Sequence, residues 1–241
     1  MNYIYVAICS VVAGFLTASI GFGGSVFMML FFPMFLPLVQ AGGLASTIVY
    51  GGIVLLAIEN RKYILWNKLL FPILIYTGCS IPMVCLASTG TISNLKIYFA
   101  VFIVLVGIYN LLGIIRPDKI QIKINPFTTI LCAGLSGVGT GLFGIGGPPM
   151  ATYFMAVAGE NKAAYIGTIQ AFFAFSMVFS LTTRFVTGVM TVELLPLAGV
   201  GFIASMLGKW WGTKALTKIN AMWLKIGICV FMILSGIVNL L

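Results

Sequence analysis

Along the chain, long apolar runs alternate with short gaps that collect the charged residues. A helix needs about 20 apolar residues to cross ~30 Å of hydrocarbon. Runs of that length fall at roughly 2–20, 41–59, 68–88 and 93–113, then at 126–143, 162–184, 190–208 and 222–241. Two others, roughly 25–39 and 148–159, are too short to cross comfortably. Each directly follows a glycine-rich break, Gly21-Phe22-Gly23-Gly24 in the first case and Gly144-Ile145-Gly146-Gly147, then Pro148-Pro149, in the second. The same order of five segments therefore occurs twice.

Residue identities support the duplication. Aligning Leu95–Leu112 with Leu224–Leu241 gives eleven identities in eighteen positions, beyond what shared hydrophobicity produces. The chain divides into a first transmembrane repeat, 1–115, a basic linker, 116–125, and a second repeat, 126–241. If the eight long runs alone cross, the basic residues split seven to six between the two faces, which is no bias. With an odd number of crossings per repeat, Arg61, Lys62, Lys68, Arg116, Lys119, Lys123, Lys162, Lys209, Lys214, Lys218 and Lys225 share one face. Only Lys96 and Arg184 remain on the other, at the outer surface together with Glu193. That division satisfies the positive-inside rule and turns the second repeat upside down, the inverted architecture of many secondary transporters. A re-entrant pairing of each short run with the long run before it gives the odd count, and so do five full crossings. The expectation is an all-α polytopic membrane protein of two inverted repeats, with basic loops cytoplasmic and both termini outside.

Composition narrows the chemistry. Hydrophobic residues make up 61% of the 241 and charged residues 7%, too few charges to cover a soluble globule of this size. Lipid is the expected solvent, and the net charge of +9 reports orientation in a cell (inner) membrane, not nucleic-acid binding. Histidine is absent, which excludes His-ligated metals, Ser-His and Cys-His catalysis, and histidine relays. No enzyme, metal or cofactor chemistry is expected. The five cysteines lie inside apolar runs with no close pair, as small packing residues. The N-terminal residues carry no Lys or Arg, so the first run is expected to stay in the mature protein. Trp66, Trp210, Trp211 and Trp223 flank basic loops as interfacial residues. Gly139-Thr140-Gly141-Leu142-Phe143-Gly144 has the lettering of a dinucleotide motif but no preceding strand, so it carries no such meaning.

The breaks carry the candidate chemistry. Unpaired backbone in a membrane is tolerated only where protein buries it or a watery cavity receives it. Gly21, Gly23 and Gly24, and Gly144, Gly146 and Gly147, leave N–H groups without side chains over them. The helices beginning near Ser25 and Pro148 aim free N–H groups and a positive dipole end at the breaks. Proline suits a first turn. Two such starts converging near the midplane could hold an anion without a buried cation. Matching hydroxyls Thr47 and Thr168, with Gln170 and Ser25 nearby, are candidates to orient it. No carboxylate falls in mid-span, so there is no obvious proton relay.

At these breaks the sequence resembles the TauE/SafE family of membrane transporters, the sulfite exporters. The resemblance rests on Ala13-Gly14-Phe15-Leu16-Thr17-Ala18-Ser19-Ile20-Gly21-Phe22-Gly23-Gly24. In the second half it rests on Gly134-Leu135-Ser136-Gly137 and Phe143-Gly144-Ile145-Gly146-Gly147-Pro148-Pro149, with Tyr153 following. Ser25 departs from the family's usual glycine or apolar residue. The resemblance implies transport of small anions, often sulfur-containing, such as sulfite, sulfonates and sulfoacetate. No cysteine adjoins a break, unlike the related thiosulfate-uptake group. A secondary transporter working by alternating access, an anion channel and a carrier of another small organic acid all fit these features. Expected partners are the small anionic substrate and the lipid bilayer; coupling ion, direction and oligomeric state stay open.

Overall fold

The computed structural model describes residues 2–20, 23–90, 92, 94–115, 123–215 and 221–238. They form ten α-helices: α1 (Asn2–Ile20), α2 (Gly24–Phe31), α3 (Leu38–Glu59), α4 (Leu70–Ser88), α5 (Leu95–Ile115), α6 (Pro126–Phe143), α7 (Gly147–Ala158), α8 (Lys162–Val186), α9 (Leu195–Ala215) and α10 (Ala221–Val238). Among the described residues, six of them (α3, α4, α5, α6, α8 and α9) are long and apolar enough to cross a membrane. The chain is an all-helical, multi-pass membrane protein. Most of the linker, 116–122, lies outside the described residues.

Helix α2 folds back along α1. The Tyr5 ring meets Phe31 and Phe35, Ser10 donates to the Met28 sulfur at 3.8 Å, and Gly24 lies against Ala13 and Thr17. Helix α7 returns along α6 in the same manner. The Thr129 and Tyr153 hydroxyls bond at 3.0 Å, and Gly146 lies against Ser136 and Thr140. Each short run is thus the second arm of an antiparallel hairpin whose tip is the glycine break.

The remaining helices pair across the chain's midpoint: α1 on α9, α4 on α6, α3 on α8 and α5 on α10. The α1–α9 and α4–α6 pairs run parallel, joined through glycines. Gly14 abuts Ser205 and Gly208 abuts Val11, while Gly137 abuts Tyr76 and Gly141 abuts Ser80. Small residues let backbones approach closely where lipid gives no hydrophobic drive to associate. The α3–α8 pair runs antiparallel, from Val39 beside Arg184, through Tyr50 bonded to the Ala174 carbonyl, to Asn60 beside Gly167. The α5–α10 pair is antiparallel too, with Gly107 on Cys229 and Gly236 on Ala100.

Two sequence expectations change. The run expected at 190–208 forms a helix at Leu195–Ala215. Gly188 in the left-handed region and extended Thr191 delay its start. Its end runs on because Lys209 pairs with Glu59 at 2.8 Å and Lys214 sits over the Trp210 ring. The cysteines are not uniformly buried: Cys9, Cys132 and Cys229 are, Cys79 is half-buried and Cys85 is exposed.

Candidate functional site

Helix α6 ends where Gly144 adopts φ +70°, a conformation that favours glycine. The Gly144 N–H donates to the Thr140 carbonyl at 2.9 Å, the 5→1 bond of an αL glycine stop, and the Ile145 N–H donates to Gly139 at 3.2 Å. The Ser136 hydroxyl donates to the Gly146 carbonyl and ties the break down on α6. The Gly139–Gly144 lettering is therefore the last turn of a membrane helix and its cap. In the first half, Gly23 adopts φ +101° and its carbonyl accepts from the Phe27 N–H at 2.9 Å, which starts α2.

The two breaks face one cavity. Gly23, Gly24 and Ser25 line it from the first half, and Gly144, Gly146 and Gly147 from the second. Thr17, Thr140, Tyr76 and Gln170 add polar side chains, and Val49, Ile53, Phe173 and Met177 add apolar wall. Its volume, measured as room for the centres of water-sized molecules, is about 30 Å³. One water needs roughly 10–15 Å³ on that scale, so the room suits two or three waters or one compact oxyanion.

The donors differ between the halves. At the start of α2 the backbone N–H groups of Gly24, Ser25 and Val26 have no earlier turn to bond to. Helix α7 begins Gly147-Pro148-Pro149, and the prolines have no N–H to offer. Of the two helix starts expected from the sequence, the second supplies glycine N–H groups and side chains in place of a full first turn of donors. Gln170 is fully buried, and the Tyr76 hydroxyl is fully buried without a well-formed hydrogen bond, with Thr140 beside it. Thr17 and Thr140 hold matching places before the two breaks. Each is followed by its break at the same distance, and each lies against the break glycine of its own hairpin.

Of the expected site residues, Gly23, Gly24, Ser25, Gly144, Gly146, Gly147 and Gln170 come together here. Gly21 lies outside the described residues. Pro148 is buried in the first turn of α7 but is not among the lining residues. Thr47 and Thr168 are not among them either. The Thr47 hydroxyl donates to its own helix at Gly43, 2.9 Å away, and the Thr168 hydroxyl accepts from the Leu65 N–H at 3.1 Å. Thr47→Val should therefore leave anion binding within about twofold of the parent. Thr168→Val should cost about 1–3 kcal/mol by stranding the Leu65 N–H, again without weakening binding. Thermal unfolding with and without anion reads both, and a lost anion response in Thr47→Val would return that hydroxyl to the site.

Arg184 does not lie at the outer surface. It is fully buried because the end of α6 and the start of α3 converge on it. Glu193 is exposed. Trp66, Trp210 and Trp211 are also exposed, on the rim the sequence assigns to the interface.

No curated protein and no solved structure matches the chain. The family described as "Sulfite exporter TauE/SafE" matches residues 6–238, nearly its whole length. An all-helical membrane protein whose two glycine-tipped hairpins meet at one cavity, matched over that span, belongs to the TauE/SafE sulfite exporter family of membrane transporters.

Proposed function

We propose that the cavity between the two breaks binds a compact sulfur-containing oxyanion, and that the chain carries it across the membrane by alternating access. The observation that supports this most directly is the meeting of both hairpin tips at one polar-lined cavity. Free N–H groups at the start of α2 and the positive end of its dipole favour an anion over a cation. The Thr17, Thr140 and Tyr76 hydroxyls and the Gln170 amide can complete its hydrogen bonding. Room for two or three waters favours sulfite over sulfonates with long carbon chains, which would need wider walls.

The carrier reading draws on the helix pairing. Equivalent helices in the two repeats, α3 with α8 and α5 with α10, run antiparallel across the interface between repeats, as two inverted halves would. A smaller recess shares Thr17 and Val49 with the cavity and extends between α1, α3 and α9 to Lys209 and its partner Glu59. That recess is the natural route to the face carrying most of the basic loops, which the positive-inside rule makes cytoplasmic. Both termini then face outward.

The test is thermal stability of the purified protein against sulfite, sulfoacetate, taurine, acetate and chloride at matched ionic strength. An anion at a hundred times its dissociation constant should stabilise by about 2.7 kcal/mol. Sulfite is expected to shift the transition most, and equal indifference to every anion would defeat the assignment. Counterflow in proteoliposomes then separates the two modes of passage. Trans-acceleration of labelled sulfite is expected, and ohmic current without it would make the protein a channel.

A further inference from the structure

Arg184 is a buried cation without an acid. It lies near the C-terminal end of α8, fully buried, and among the described residues no carboxylate pairs with it. Its guanidinium donates to the Val39 carbonyl at 3.1 Å, to Thr140 at 2.6 Å and to Gly141 at 2.9 Å. Its Nε has no partner. Three carbonyl dipoles satisfy most of the donors, and the end of α6 contributes the negative end of a helix dipole. Neither supplies a full opposite charge. Ionisable groups are costly at membrane depth, and those retained there mark ion or substrate pathways.

The location points to which. Thr140, whose carbonyl Arg184 holds, lines the cavity with its own residue, and Gly144 ends the same helix three residues beyond Gly141. Tyr76 lines the cavity as well and has a fully buried hydroxyl without a well-formed hydrogen bond. Across the cavity, α2 offers a free helix start, whereas α7 opens on two prolines. The second half thus offers fewer helix-start N–H donors than the first, and has one buried positive charge behind its lining.

We propose that Arg184 is the fixed counter-charge of the transported anion. It acts through one layer of protein, across Thr140 and Tyr76, and sets selectivity for a negatively charged oxyanion over a neutral molecule of the same shape. The proposal rests on the anion-site reading and adds the source of its charge selectivity. Arg184 is a positioning residue in this role: it shapes the field of the site and holds the α6 carbonyls without touching substrate. The competing role is mechanical, a clamp that ties α8 to α6 and α3.

Binding to the purified protein separates the two roles, with sulfite, methanesulfonate and its neutral isostere methanesulfonamide as probes. The parent is expected to bind sulfite and to prefer methanesulfonate over methanesulfonamide. Arg184→Gln should weaken sulfite binding roughly thirtyfold or more, the scale for removing a buried charge partner, and erase that preference. Arg184→Lys, which keeps the charge but loses the planar fork, should retain the preference. A folded Arg184→Gln protein that binds sulfite within about threefold of the parent would make Arg184 a clamp only. Should Arg184→Gln not fold, Arg184→Lys decides: preference kept supports the counter-charge, preference lost in a folded protein overturns it. A parent that ignores every anion defeats the site itself and this proposal with it. A parent and an Arg184→Gln protein that bind equally defeat the role of Arg184 alone.

Discussion

Gly146→Val is expected to abolish both anion-induced stabilisation and transport, and Gly24→Val to do the same from the other half. A Cβ at Gly146 would stand 2.6 Å from the Ser136 carbonyl oxygen and closer still to the Thr140 hydroxyl. A Cβ at Gly24 would stand 2.6 Å from the Ala13 carbonyl oxygen and closer still to the Thr17 hydroxyl. Backbone cannot yield as a flexible side chain can, so each hairpin must open, at about 1–3 kcal/mol for the overpacking alone. Opening moves Thr17 or Thr140 and the adjacent N–H groups, which are the lining of the cavity. Gly23→Ala provides the contrast. Nothing lies within 4 Å of a Cβ there, but φ is +101°, so the cost is backbone strain of about 1–2 kcal/mol without a clash. Unfolding in detergent with and without sulfite, beside uptake into proteoliposomes, reads all three. Either valine variant, if folded and still stabilised by sulfite like the parent, would move the site away from the breaks.

Much of this architecture is legible in the sequence because lipid is a strict solvent. A span must be apolar for nearly its whole length, so runs such as 126–143 and 68–88 coincide with helices to within a few residues. The breaks are legible for the converse reason: unpaired backbone in a membrane needs a purpose. Rotation about a helix is harder to read. Thr47 and Thr168 align between repeats, yet they point at their own helix and at a loop, because each residue turns a helix by about 100° and alignment does not fix the facing direction. Thr17 and Thr140 carried a stronger signal, an equal spacing before the two breaks, and the general tendency of membrane threonines to bond their own helix hides it. Thr17 does bond the Ala13 carbonyl at 2.9 Å and lines the cavity as well. Tyr76 has no mark in the sequence. It joins the site only because α4 packs beside α6 through Gly137. Arg184 misleads by position: the end of an apolar run ordinarily means the interface, and only the convergence of α3 and α6 buries it.

The α1–α9 seam sets the other large effect. Gly208→Leu is expected to destabilise the protein by more than the about 1–3 kcal/mol typical of overpacking, with loss of folded protein from detergent extracts as the readout. A Cβ at Gly208 would stand 2.7 Å from the Val11 carbonyl carbon and closer still to its oxygen, so even alanine forces the helices apart. Gly14 faces Ser205 in the same way from the other side. Gly199 lies on the same helix with nothing within 4 Å of its Cβ. Gly199→Ala should therefore stabilise by about 0.5–1 kcal/mol, because glycine in a helix interior gives way favourably to alanine. Opposite signs on one helix would locate the effect in the seam and not in helix propensity. The seam joins a helix from the first half of the chain to one from the second, and its backbones touch. Sliding there would drive glycine against carbonyl, so α1 and α9 must move together as one body. In the proposed alternating-access cycle, the motion that opens the cavity would then fall at surfaces padded by side chains, such as the recess between Val49, Met206 and Lys209. Equal destabilisation by Gly199→Ala and Gly208→Leu would remove the seam's special standing and with it this division of rigid and mobile surfaces.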